Sequence, residues 1–238
     1  MNLPAAQEFS RRELFVRSAK RGLVAAVAIA GAGVAGNKYG ANQEREKHVG
    51  PGDLTPELRA KLEDAGLFVT KIPADLTIEN LREAGLDILP LTVPEGQPNA
   101  ETVASKRKWM AVKPEEFYLP ASKENPTLSD LNTLVTRKST AMRSLNIDSG
   151  IQVVSGSPAE LAWLDFVLRL QKRKGLINGG EGFIVTGTKI KIDGKDNGVA
   201  IGRSAPGEPL SIVTFDASTQ NPTPPTGGFR AAGIVVAR

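Results

Sequence analysis

The chain reads as an α+β protein: an N-terminal membrane helix, a small α/β element, a proline-rich extended segment, and an α+β sandwich with a mostly antiparallel sheet. Three observations predict it. An uncharged stretch, residues 22–37, follows a cluster of basic side chains. Two short helix signatures between residues 55 and 89 each run into an apolar stretch of strand length. Beyond residue 127 the apolar pattern switches between periods in the order helix, strand, helix, strand, strand, strand. The segments are bounded at 1–40, 41–90, 91–126, 127–219 and 220–238.

The N-terminal segment comes first. Arg11, Arg12, Arg17, Lys20 and Arg21 precede the uncharged stretch, which is 16 residues long. A helix of that length spans about 24 Å, short of a hydrocarbon core near 30 Å. It suits the apolar region of a signal peptide, or a short anchor whose flanking Lys20, Arg21 and Lys38 reach out to the headgroups. The upstream basic residues hold the N-terminus in the cytoplasm and send the remainder across. Residues 31–36 also spell G-x-G-x-x-G after a strand-like run. A dinucleotide site needs an amphipathic helix next, and Asn37 to Glu46 offers almost nothing to pack, so no such cofactor is expected.

Ser10-Arg11-Arg12-Glu13-Leu14-Phe15 and the Ala/Gly-rich run behind it resemble a twin-arginine export signal. The resemblance covers the first 36 residues and implies export of the folded body. It departs from that family in carrying Arg17, Lys20 and Arg21 between the motif and the apolar run.

Thr55-Pro56-Glu57 opens the first helix, with Thr as N-cap, Pro at the first position and Glu in the first turn. The helix runs through Leu58 and Leu62 to Gly66, and Leu67 to Thr70 follows as a strand. Thr77 to Gly85 repeats this design, with 86–89 as its strand. Residues 90–126 then hold six prolines (90, 94, 98, 114, 120 and 126). Proline lacks the N–H that helices and central strands need. The segment is therefore expected to be extended, and ordered by a partner.

In 127–219, Leu131, Leu134, Val135, Met142 and Leu145 share a helical face, and Ile151 to Val154 is a short strand. Ser157-Pro158-Ala159-Glu160 is a capping box. Its helix, expected to run from Pro158 to Lys174 and stop at Gly175, is apolar over more than half its girth, which demands heavy burial or a partner. Strands are expected over 182–192, 199–201 and 210–215, with a hairpin turn at Asp196-Asn197-Gly198. The last strand, 229–238, is expected to add to a neighbour's sheet edge.

Behind a membrane segment, this order is similar to the inner-membrane M and O proteins of type II secretion and type IV pilus machines. The similarity rests on Ile151–Ser157, the helix Pro158–Lys174 and the strand Leu210–Ala217. It implies a ferredoxin-like, dimerising periplasmic domain. The chain lacks the long coiled coil that the family places after its anchor, and the family has no counterpart of the proline-rich segment.

Composition removes several chemistries. With no cysteine, disulfides, thiolate metal sites and cysteine nucleophiles are excluded. His48 is the one histidine, in a polar loop, so neither a His-rich metal site nor a serine triad is available. Aromatic residues make up 5% of the chain, too few for extended base- or sugar-stacking platforms. The near phosphate-loop Gly182 to Lys189 leads into a strand, so its amides do not converge on phosphate. The pairs Glu63-Asp64 and Glu115-Glu116 read as surface carboxylates. The clusters Lys106-Arg107-Lys108 and Lys172-Arg173-Lys174 could face anionic lipid or nucleic acid, and read first as solvated surface.

The expected function is non-enzymatic: a structural or assembly subunit of a membrane-associated complex in a cell envelope or virion. The body would lie outside the cytoplasm, at the bacterial inner membrane. Other protein subunits, and lipid around residues 22–37, are the expected partners. Nucleic acid, small molecules, metals and cofactors are not. The alternative is an exported soluble enzyme or solute-binding protein with a cleaved signal.

Overall fold

A computed structural model of the chain describes residues 53–94, 97–119, 128–144, 150–171, 175–178, 182–217 and 228–237. The fold is α+β with mostly antiparallel pairing.

Helix α1 (Pro56–Asp64) starts as its residues dictate: Thr55 accepts a hydrogen bond from the Leu58 amide at 3.1 Å, and Gly66 takes the left-handed φ of +79° that ends the turn. Strand β1 (Phe68–Lys71) follows. Helix α2 (Ile78–Glu83) repeats the design, with Thr77 accepting from the Asn80 amide at 3.0 Å. Residues 86–89 depart from expectation. They form a single parallel bridge, Ile88 to Leu210, held by the Leu89 amide on the Leu210 carbonyl at 2.7 Å and the Leu210 amide on the Asp87 carbonyl at 3.0 Å. Pro90 and Pro209 flank the bridge, and neither can donate the next ladder bond.

The proline-rich segment corrects a larger expectation. Its strand β2 (Trp109–Val112) lies in the middle of a four-stranded antiparallel sheet, between β1 and β9 (Ile234–Ala237), with β4 (Ile151–Val154) beyond. All four β2 residues are buried. No proline falls within 109–112, so the ladder is intact where it is needed. The chain itself, through β1 and β9, orders this stretch. Short 3₁₀ turns at Ala100–Thr102 and Pro114–Glu116 and the two-residue strand β3 (Tyr118–Leu119) are the other elements of its described part.

The second sheet has five strands in the order β3, β8 (Phe229–Ala232), β5 (Phe183–Ile192), β6 (Lys195–Gly202) and β7 (Ser211–Asp216). Only β5 against β8 is parallel. The C-terminal segment therefore does not wait for a neighbour's edge. It crosses from one sheet to the other at Gly233, giving β8 to the second and β9 to the first.

Helix α3 (Leu128–Ser144) and helix α4 (Pro158–Leu170) serve opposite faces. Leu131 of α3 packs with Phe183, Phe215 and Phe229 of the second sheet, and Met142 packs with Trp109, Val153 and Val235 of the first. Helix α4 sends Leu161, Trp163, Leu164, Val167 and Leu168 into the main core with Met110, Val112, Ile234 and Val236 of one sheet and Ile184, Val199 and Ile201 of the other. Along β2, Trp109 and Ala111 thus serve one face, Met110 and Val112 the other, as a period of two requires. Heavy burial answers the wide apolar girth of α4. Its helical run ends at Leu170, with Gln171 as C-cap, four residues before the expected Lys174.

The hairpin β5–β6 turns at Asp193-Gly194, with φ of +50° and +76°, and not at Asp196-Asn197-Gly198. Both sites offer an Asx-Gly step. The choice follows from Gly198, which sits opposite Phe215 in the ladder. A Cβ at Gly198 would lie 3.0 Å or less from three Phe215 ring carbons, and that ring is fixed against Phe229 at a centroid distance of 4.7 Å. Gly198→Ala is therefore expected to cost about 1–2 kcal/mol by overpacking. A thermal denaturation series including Gly194→Ala, where an added Cβ meets nothing within 4 Å and the penalty is the strained φ alone, would isolate the ring clash.

Candidate functional site

The five basic residues Arg11, Arg12, Arg17, Lys20 and Arg21, the stretch 22–37, His48 and Lys172 to Lys174 all lie outside the described residues. Among the described residues no helix is long and apolar enough to cross a membrane, and no cluster of three acids or histidines could hold a metal ion.

The cluster 106–108 is not a continuous basic patch. Arg107 donates to buried Glu160 at 2.6 Å, and Lys108 pairs with Asp53 at 2.6 Å. Lys106 and Lys189 line an open cleft of about 410 Å³ beside the start of α4. That helix start already carries its own anion. The Glu160 carboxylate takes the Ser157 amide at 2.8 Å and the Ser105 hydroxyl at 2.5 Å, offsetting the helix dipole and Arg107 together. The Gly182–Lys189 stretch is strand β5. Gly187 is needed there because a Cβ would fall 2.7 Å from the Ser155 carbonyl oxygen.

Among the described residues three carboxylates are buried, and each is held by arginine. Glu101 binds Arg82 and accepts from the Leu91 amide at 2.6 Å. Glu160 binds Arg107. Asp165 accepts from Arg169 at 2.9 Å and from the Ile177 amide at 2.9 Å, with Arg203 at 3.5 Å. These pairs tie loops to helices. Their hydrogen-bond capacity is spent on the fold.

A cleft of about 480 Å³ lies where α3 covers the four-stranded sheet. Leu67, Met142, Val153 and Val235 make its walls, and Lys113, Glu116 and Lys138 stand at its mouth. Glu116 accepts from Lys113 at 2.5 Å and from Lys138, so this one carboxylate links the β2–β3 connection to α3. The hydrogen bond from Lys113, then that from Lys138, pulls the Glu116 carboxyl down to about 2 from an ordinary 4.5. A lowered carboxyl stabilises the fold above its unfolded value and loses that contribution as pH falls from 4.5 through about 2. The Glu116 side chain is 43% exposed, so screening keeps the effect below about 1 kcal/mol. Acid denaturation should show the wild type losing stability across that window and Glu116→Gln losing less, with the difference shrinking in high salt.

Glu116 was visible in the sequence as half of an acidic pair. Lys138 was not, because it meets Glu116 only after α3 docks. Asp165 and Arg169 had a readable signal: two opposite charges four residues apart on an otherwise greasy helix.

Among the described residues the fold is an α+β body of two linked sheets with helices on both faces and a cleft under α3 that has Lys113, Glu116 and Lys138 at its mouth. Comparison with protein families, with curated proteins and with solved structures returns no match.

Proposed function

We infer that the protein is a non-catalytic structural or assembly subunit of a membrane-associated complex, held or targeted by its N-terminal segment, with the α+β body on the far side of the membrane. The observation that carries this reading is the order of five basic side chains followed by the 16-residue uncharged stretch 22–37 ahead of the body. Such a stretch prefers lipid, and the basic cluster sets its direction. The use of the buried carboxylates Glu101, Glu160 and Asp165 as arginine-bound fold contacts supports a body that works by its surfaces. Strands β2 and β9 are consumed in the fold, so partners would meet the outer face of the body instead.

The test uses the full chain with a C-terminal tag. Membrane fractionation, protease access from the outer side and mass spectrometry of the N-terminus are read together. The expected result is an intact N-terminus in the membrane fraction, an externally accessible body and co-purifying subunits. A variant with Arg11, Arg12, Arg17, Lys20 and Arg21 changed to Glu should lose that orientation. A body found in the cytoplasm would overturn the reading. A cleaved N-terminus on a body that purifies alone would support an exported soluble protein instead.

A further inference from the structure

The cleft under α3 combines features that core packing does not require. Its walls carry the aliphatic side chains of Leu67, Met142, Val153 and Val235, and its polar lining side chains are Lys113, Glu116 and Lys138. Its volume, about 480 Å³, falls within the range of small-molecule sites, about 300–1,000 Å³. Among its described lining residues are two ammonium groups and one carboxylate, a net charge of one positive, with Glu115 near Lys113 outside the lining. Each ammonium has three donors and gives one to Glu116, so donors remain on both.

We propose that this cleft binds a small amphiphile: an apolar chain lying between α3 and the sheet, with one anionic head group held by Lys138 and Lys113. An apolar body matches the walls, and a monoanion matches the charge left at the mouth. A cation would meet two lysines, and a neutral molecule would gain no charge-assisted contact from them. The chemistry is shared by free medium-chain carboxylates and by anionic phospholipids. The proposal rests on the cleft alone, so failure of the membrane-directed reading would leave it standing.

The test uses the full chain in phosphatidylcholine nanodiscs, with empty discs as blanks. Octanoate, octanol and octylammonium are titrated against methyl resonances of Met142, Val153 and Val235. Octanoate should shift these methyls saturably. Octanol should bind roughly ten-fold more weakly, as expected for loss of one charge-assisted contact, and octylammonium should not bind. Two variants at the mouth then separate binding from a structural clip. Lys138→Gln removes the net charge and should weaken octanoate roughly ten-fold, whereas Glu116→Gln raises the charge and should tighten it several-fold. Both break the same ion pair, so a purely structural triad would move both affinities in one direction, and that result would overturn the proposal. Absence of saturable shifts at the three methyls would do the same. Competition by dihexanoylphosphatidylglycerol monomers would identify a lipid head group as the source; octanoate binding without such competition would identify a free carboxylate.

Discussion

Replacing Trp163 with alanine is expected to lower the unfolding free energy by about 4–5 kcal/mol, the upper part of the range for buried aromatic truncations. The indole is 1% exposed and lies in the core where residues of both sheets and α2 meet α4. Phe166 packs beside it at a ring distance of 5.9 Å, and its Nε1–H donates to the Lys71 carbonyl at 3.0 Å, at the end of β1. The rigid strands on either side limit collapse into the vacated space, which keeps the cavity cost high. Against a typical total of about 5–15 kcal/mol, the loss would leave the body marginal. Trp163→Phe keeps most of the packing and gives up the hydrogen bond, at about 1–2 kcal/mol. Urea denaturation can follow both variants through the remaining buried tryptophan, Trp109. A loss below about 2 kcal/mol for the alanine variant would mean that α4 does not occupy the centre of the core.

Asp165→Ala is the second large effect, at about 3–5 kcal/mol, the usual cost of removing one member of a buried ion pair. Its carboxylate is 2% exposed. It satisfies the buried Ile177 amide and faces Arg203, whose side chain is only 15% exposed and whose Nε has no hydrogen-bond partner among the described residues. Without Asp165 the buried Ile177 amide loses its acceptor, and the part-buried Arg203 guanidinium loses its counter-charge and keeps the Glu208 carbonyl. Arg169→Ala is the informative contrast. That side chain is 45% exposed, and its loss leaves Asp165 bound to Ile177 and Arg203, so it should cost about 1 kcal/mol or less. Equal losses from the two substitutions, read from the same urea midpoints, would contradict this picture of an acid whose value lies in the groups it keeps satisfied.

Local chemistry was legible wherever a residue's effect ends within one turn. Thr55, Thr77 and Ser157 announced their helices, and each cap is formed by the amide three residues on, as an N-cap oxygen must do. The apolar periods of α3 and α4 were equally plain. Legibility failed where two distant segments had to agree. Gly198 looked like a turn residue until Phe215 was laid across it. Residues 86–89 looked like a strand until their pairing among the described residues proved to be a single bridge to Leu210, with Pro90 and Pro209 beside it. The mouth of the cleft joins Lys113 and Glu116 to Lys138 across residues far apart in the chain. No spacing rule connects them.

The amino-acid order alone determined the α+β class, the capped helices and the exclusion of cysteine chemistry, because these depend on composition or on contacts within a few residues. Only the tertiary structure decided that a proline-flanked strand would be the middle of a sheet, that the last strands would join the two sheets, and that a cleft would open under α3. Strand pairing and cavities are made by long-range partners, and the free energy that selects among partners is spread over the whole core.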